Sequence, residues 1–399
     1  MKFFTSALFF LTILFSTSSC VNKKNNSDNN TVSIDTTINN TNDSNVTVPL
    51  EFYKRFEGTI AGEPVFLQMS SLRKNISGIY YYENIGVPVY FSAININGDS
   101  LFLIEKLLSG KYTDNDKFAT LNLKFTDSVL SGIWQSADRI RSFPVLLKES
   151  YPQGSFKFSI STIEDSVKPY PKFEGGPLAT AKITFVYPDS SINKTKSDFL
   201  KSEIEALMGY DKVSPNTPVE DVAHKFIFDY FFRYKNGLPA PSDTSADLSS
   251  PTFKHYYDKK IGVVFNRKNI VIFSSYILEF AGGAHPNHST TFFCVDVENK
   301  KRLALADVLI MDSAKISPIL EKVLRKDRKI PSSNKLSTVL FEDYILPNEN
   351  FYFNLMGIVF YYNPYEIAPY VYGDTEIFIP FSSISDLLKP EFKERMGIK

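Results

Sequence analysis

The sequence predicts an all-β antiparallel barrel or sandwich, followed by an α+β module with a mainly antiparallel sheet and packed helices. Three observations carry this prediction. Short alternating apolar runs, broken by Gly, Pro and Asn turn signals, fill residues 51–148. From Ala179 onward, strand-like runs are interspersed with amphipathic stretches at helical spacing. Aromatic residues make up 15% of the chain, with 22 Tyr and 35 Phe, a composition that suits strands.

The first twenty residues read as an export leader. Lys2 supplies a positive start, residues 3–15 are an apolar run, Ser16, Thr17, Ser18 and Ser19 are small, and Cys20 follows at once. The apolar run is too short for a membrane span, which needs about 20 residues. Thr17-Ser18-Ser19-Cys20 is a loose lipobox, so the leader (1–19) is expected to be removed and Cys20 to carry an acyl, palmitate-type anchor. No run of acids follows Cys20, and the expected location is the outer membrane of the cell envelope, on either face. Residues 20–48 are Asn, Ser, Asp and Thr with few large apolar side chains, the composition of a disordered tether.

Within the expected β-domain (49–150), turn signals stand at Ala61-Gly62, Asn84-Ile85-Gly86, Asn97-Gly98 and Thr113-Asp114-Asn115. Val65-Phe66-Leu67-Gln68-Met69 and Leu101-Phe102-Leu103-Ile104 are strand-like runs between such signals. Asn97-Gly98 predicts a type I′ hairpin. Six to eight strands are expected, with Trp134, the one Trp of the chain, as a plug in their core.

The α+β module is expected over 151–399, in halves of about 151–289 and 290–399. A strand over 182–187 stops at Pro188. Ser197 is expected to cap a helix burying Leu200, Ile204, Leu207 and Met208. Thr217-Pro218-Val219-Glu220 reads as a capping box with Pro at the first helical position, and Val222, Phe226, Tyr230 and Tyr234 form the stripe of the next helix. Residues 261–265 and 270–274 are expected to pair across 266–269, and 290–297 to return as a further strand. Ser313 is expected to cap a helix with Ile316, Ile319, Leu320, Val323 and Leu324 inward, before strands in 351–362 and 376–381 and a short helix over 382–388.

Lys+Arg and Asp+Glu both number 44, so no excess of positive charge favours nucleic acid. With Cys20 acylated, Cys294 is left alone in an apolar strand, where a buried, inert thiol is expected. No nucleophile elbow, phosphate loop, His-Glu-x-x-His or Cys pair occurs, so no catalytic residue, metal or cofactor is assigned.

Two segments stand out. Gly282-Gly283-Ala284-His285-Pro286-Asn287-His288 combines conformational freedom with two of the four His. Its two imidazoles lack the further ligands that zinc wants, which favours a turn with His285 bonded to backbone. The 361–373 run carries five Tyr, Glu366 and two Pro that restrict its backbone. It either covers the core or presents a surface. On the second reading Tyr362, Tyr365 and Tyr370 are anchors, Glu366 gives direction by charge, and His285 and Asn287 are further candidate binding residues of the same module.

These two segments, with Leu303-Ala304-Leu305-Ala306-Asp307-Val308-Leu309 and Ile377-Phe378-Ile379-Pro380-Phe381, resemble the extracytoplasmic module of the RsiV anti-sigma factor family. The same module occurs beside the deacetylase domain of PdaC-type cell-wall enzymes. The resemblance spans roughly 155–390 and implies an envelope binding module with lysozyme as a possible ligand. The chain carries no sigma-binding segment followed by a membrane helix and no deacetylase domain, so it implies neither of those functions. The expected role is a non-enzymatic, lipid-anchored module for a protein or cell-wall (peptidoglycan-related) ligand. An envelope hydrolase using His285 with a carboxylate such as Glu366, and a structural part of an outer-membrane assembly, are the alternatives.

Overall fold

The computed structural model describes residues 47–106, 118–211, 213–214, 216–240, 242 and 247–398. The leader, Cys20 and all but the end of the expected tether lie outside them, as does the turn signal at Thr113-Asp114-Asn115. Val48, at the tether's end, is buried and its N–H donates to Gly98 O at 3.2 Å.

Eight antiparallel strands close into a barrel: β1 (Glu51–Ile60), β2 (Glu63–Leu72), β3 (Asn75–Tyr82), β4 (Val89–Asn97), β5 (Ser100–Lys106), β6 (Thr120–Thr126), β7 (Val129–Gln135) and β8 (Ser142–Glu149). Closure pairs β1 with β8, Phe56 standing opposite Glu149. Alternation fills the interior: Val65, Leu67 and Met69 of β2 point in with Phe56, Leu103, Leu121 and Leu147. The β4–β5 turn differs from the expected type I′. Gly98 and Asp99 are its central pair, and only Gly98 has a positive φ. The sequence order is Gly-Asp rather than Asn-Gly at those two positions, so glycine serves the first of them. Trp134 packs against the barrel core only in part. It is half-buried, stacks on Phe143 at 5.7 Å, and its indole N–H donates to Glu105. An indole N–H needs an acceptor when covered, and the carboxylate of Glu105 supplies it at the barrel's wall.

The remainder is a three-layer α+β body. Its central sheet has six strands in the order β14-β13-β12-β11-β10-β9: β9 (Phe158–Val167), β10 (Leu178–Pro188), β11 (Lys254–Arg267), β12 (Ile270–Phe280), β13 (Asn287–Asp296) and β14 (Lys301–Leu303). All neighbours are antiparallel except β10 and β11, which run parallel because two helices separate them, α1 (Lys194–Leu207) and α2 (Val219–Asn236). Those helices cover one face, where Leu200, Ile204, Ala223 and Ile227 meet Ile183, Phe185, Val271 and Phe273. The other face packs against a three-stranded sheet, β15 (Phe351–Phe353), β16 (Gly357–Tyr362) and β17 (Thr375–Pro380). The helices α3 (Leu305–Val308), α4 (Ser313–Asp327) and α5 (Pro390–Met396) complete that layer. Ile270 and Ile272 face this layer while Val271 and Phe273 face α1 and α2, as a two-residue period requires.

The helix starts differ from expectation in each case. Asn193, not Ser197, caps α1, its Oδ1 accepting from Thr195 N at 3.0 Å. Pro218 rather than Thr217 holds the N-cap position of α2, with no side-chain cap bond. Asp312 caps α4 in place of Ser313, and Pro318 sits inside that helix. Asn and Asp rank with Ser as caps, so α1 starts at Asn193, well ahead of Ser197, and α4 at Asp312, next to Ser313. Cys294 is 2% exposed, and burial pushes its thiol well above the usual range, away from thiolate reactivity. Among the described residues no helix is long and apolar enough to cross a membrane.

Candidate functional site

The 282–288 turn joins β12 to β13, with Glu279 paired to Asn287 at its base. Gly282 and Gly283 take φ of 84° and 107°, which only glycine adopts freely. A Cβ on Gly282 would stand 3.0 Å from Thr252, so the close approach also needs glycine. His285 is exposed at the tip, its Nδ1 2.7 Å from Pro286 O. Asn287 is exposed at the start of β13. His288 is half-buried, its Nε2 3.2 Å from Asp374 Oδ2. That hydrogen bond holds the imidazole above its ordinary pKa, with burial opposing.

The second segment folds over this turn. Tyr370 donates its hydroxyl to Pro286 O at 3.1 Å, and its ring centroid lies 4.3 Å from that of His285. Tyr365 lies against Tyr370 at 5.5 Å, with its hydroxyl 3.4 Å from His285 Nε2. The backbone of Tyr365 is left-handed, φ 67°, and its side chain is 53% exposed. A bulky residue in that region is a strained outlier. The surrounding turn imposes it, through Tyr365 N to Ala368 O at 3.1 Å and Glu366 N to Asn363 O at 3.1 Å. The result is a platform of three rings, His285, Tyr370 and Tyr365, open to solvent at Tyr365.

Two of the expected surface residues play other parts. Tyr362 is 1% exposed and donates to Leu346 O at 2.7 Å. The strand β16 runs on to include it, opposite Thr375, so the side chain is a core residue. Glu366 is exposed, but its carboxylate accepts from Asn348 Nδ2 at 2.6 Å and Asn363 N at 2.9 Å. It closes its own loop and makes no hydrogen bond with His285, whose ring nitrogens face Pro286 O and the Tyr365 hydroxyl. Among the described residues, no three His, Cys, Asp or Glu side chains gather at metal-binding spacing.

Sequence reasoning missed the residues that dock the loop. Asn363 Oδ1 accepts from Thr290 N at 2.6 Å, and Asn350 Oδ1 from Phe292 N at 3.0 Å. The amide groups of Asn363 and Asn350 both donate back to Thr290 O. These side chains satisfy the edge of β13 beyond the reach of β14, where a further strand would otherwise pair. The Asn-Pro step at 363–364 signalled a turn, and nothing local signalled the partner 73 residues away.

The architecture is thus an eight-stranded antiparallel barrel joined to a three-layer α+β body, with an aromatic platform at one end of the body's central sheet. Residues 306–382 match the family model described as a protein of unknown function, DUF3298. A DUF3298 family member from Bacteroides fragilis has a solved structure similar to this chain, with 26% identity and a TM-score of 0.55. The similarity covers 61% of this chain and 98% of that one. A DUF3298 family protein from Pseudomonas aeruginosa is similar at 16% identity and a TM-score of 0.43, covering 59% and 96% of the two chains. No curated protein matches the chain. The fold therefore matches that of a DUF3298 protein. The matched stretch is narrower than the 155–390 span of the RsiV resemblance and carries no assigned activity.

Proposed function

We propose that the chain is a lipid-anchored protein of the cell envelope whose α+β body binds a protein or cell-wall ligand, without catalysis, on the Tyr365–Tyr370–His285 platform. The observation that carries this reading is Tyr365, a large ring held exposed on strained backbone and braced by two further rings. Strain of about 1–3 kcal/mol persists only where the surroundings impose it, and such residues cluster at ligand contacts. A braced ring loses little freedom on binding. The leader and Cys20 support an anchor in the outer membrane, and the RsiV resemblance supports lysozyme as the first ligand to try, with peptidoglycan fragments second.

Calorimetry of the full chain against lysozyme and against peptidoglycan fragments tests the reading. One of the two ligand classes binds, and Tyr365→Ala weakens it by roughly tenfold or more while melting as wild type does. Tyr362→Ala, a core truncation, instead lowers thermal stability by about 3–5 kcal/mol. Silence with both ligand classes, or a Tyr365→Ala chain that binds like wild type, overturns the proposal.

A further inference from the structure

A cleft of about 570 Å³ opens between the C-terminal half of α2 and the β11–β12 pair. Spacing along α2 builds one wall: Phe226, Tyr230 and Tyr234 recur every fourth residue, with Arg233 beside them. The floor comes from the sheet, where Tyr257 of β11 and Glu279 of β12 stand directly opposite each other. Tyr257 meets Phe226 at 5.1 Å and Tyr230 at 5.4 Å, with ring planes 45° and 47° apart. The Tyr230 hydroxyl is buried and has no hydrogen-bond partner among the described residues. Neither Arg233 nor Glu279 makes an ion pair or a side-chain hydrogen bond among the described residues, although the fields of both act on Tyr230 and Tyr257.

We infer that this cleft is a binding site for a neutral saccharide, independent of the platform. The volume lies within the range of small-ligand sites, which combine apolar walls with a few convergent polar groups. Phe226, Tyr230 and Tyr257 are packed on one another, so a ligand meets the outer surface of this ring cluster. The C–H edges of a puckered ring pack against such aromatic surface, whose negative quadrupole attracts them. The polar groups decide the rest. One carboxylate and one guanidinium line the cleft with the imidazole of His255, which lies against Thr252 O, so no single sign of charge dominates it. A ring hydroxyl both donates and accepts, so adjacent hydroxyls serve Glu279, Arg233 and the Tyr230 hydroxyl together.

The test uses the full chain and a panel of neutral trisaccharides (chitotriose, cellotriose and maltotriose), with dipeptides as the charged comparison, read by calorimetry. At least one trisaccharide binds. Glu279→Gln and Tyr230→Phe each weaken it by roughly tenfold, the scale of one lost hydrogen bond to a charged or buried group. Tyr230→Phe keeps the ring and removes an unpartnered hydroxyl, so it melts no lower than wild type. Failure of all three trisaccharides to bind at millimolar concentration overturns the inference. So do tighter binding of a dipeptide and trisaccharide affinity indifferent to both cleft variants. None of these results bears on lysozyme binding at the platform.

Discussion

The side-chain amide of Gln68 in the barrel donates to Val264 O at 2.7 Å, and Val264 is the residue that a β-bulge leaves out of the β11–β12 ladder. The bulge has two effects. It breaks the two-residue period, so Val264 and Phe265 both face the three-stranded layer, whereas Val263 faces α1 and α2. It also frees a carbonyl that no strand can pair. The barrel supplies donors for it: Gln68, and the Tyr81 hydroxyl at 2.8 Å. Arg55, 2% exposed, adds a bond from Nε to Asn266 O at 2.9 Å. The bulge is therefore the socket that holds the barrel wall.

Removing both donors leaves Val264 O buried and unpaired. A buried acceptor without a partner costs about 1–3 kcal/mol, whereas one that keeps a single donor costs less. The Gln68→Leu/Tyr81→Phe double variant is therefore expected to lose more stability in urea than the two single variants lose in sum. Additive losses would show that the two donors act separately and that the socket has no joint role.

Glu376 gives the same junction a pH dependence. It is 8% exposed, and burial pushes its carboxyl up to about 8, against the pull of hydrogen bonds from Tyr352 at 2.9 Å and Tyr90 at 3.3 Å. Tyr90 belongs to the barrel and Tyr352 to the body. Between an unfolded pKa of about 4.3 and the folded value, the native state holds a proton that the unfolded chain has lost. Its contribution is full below that lower value and is lost as pH rises through about 8. Thermal melts from about pH 5 to about pH 9 should fall for wild type and run flatter for Glu376→Gln. Parallel curves would show that Glu376 is already charged in the native state at low pH.

How much of this was legible depends on how far apart the partners lie in sequence. The alternation at 65–69 marked β2 and its inward Val65, Leu67 and Met69. It also marked Gln68 as an outward polar residue, which in isolation means solvent. Its true partner is 196 residues away, at a bulge that Gly262 inside the 261–265 run hints at without placing. The helical stripes at 200–208 and 222–234 were readable for the same reason, since they are local periods. The tyrosine loop was half readable. Its prolines and its place in one module with the His285 turn were expected, but their contact and the run of the strand to Tyr362 are decided by long-range pairing. Among the aromatic residues of the cleft, Phe226, Tyr230 and Tyr234 read as an ordinary core stripe. Only the register that sets Glu279 opposite Tyr257 turns that stripe into a lined wall.

Asp374, which no local motif marked, holds the His288 imidazole under the platform. Its carboxylate meets His288, and the His288 ring faces Tyr370 at 5.9 Å and Tyr276 at 6.1 Å. The pair therefore fixes the imidazole beneath the platform. The hydrogen bond raises the His288 pKa, so its contribution is full below the unfolded value of about 6.5 and is lost as pH rises through the higher folded value. Both side chains are partly exposed, at 20% and 30%, so solvent screens the pair and its worth is about 1 kcal/mol or less. Asp374→Asn should move the His288 titration, followed by NMR of the ring protons, down toward 6.5. It should cost little in melting temperature, because the Asp374 carbonyl still receives Arg328. A ring that titrates where it did before would mean that a group other than the Asp374 carboxylate holds His288 up, and the platform would then have no support from this pair.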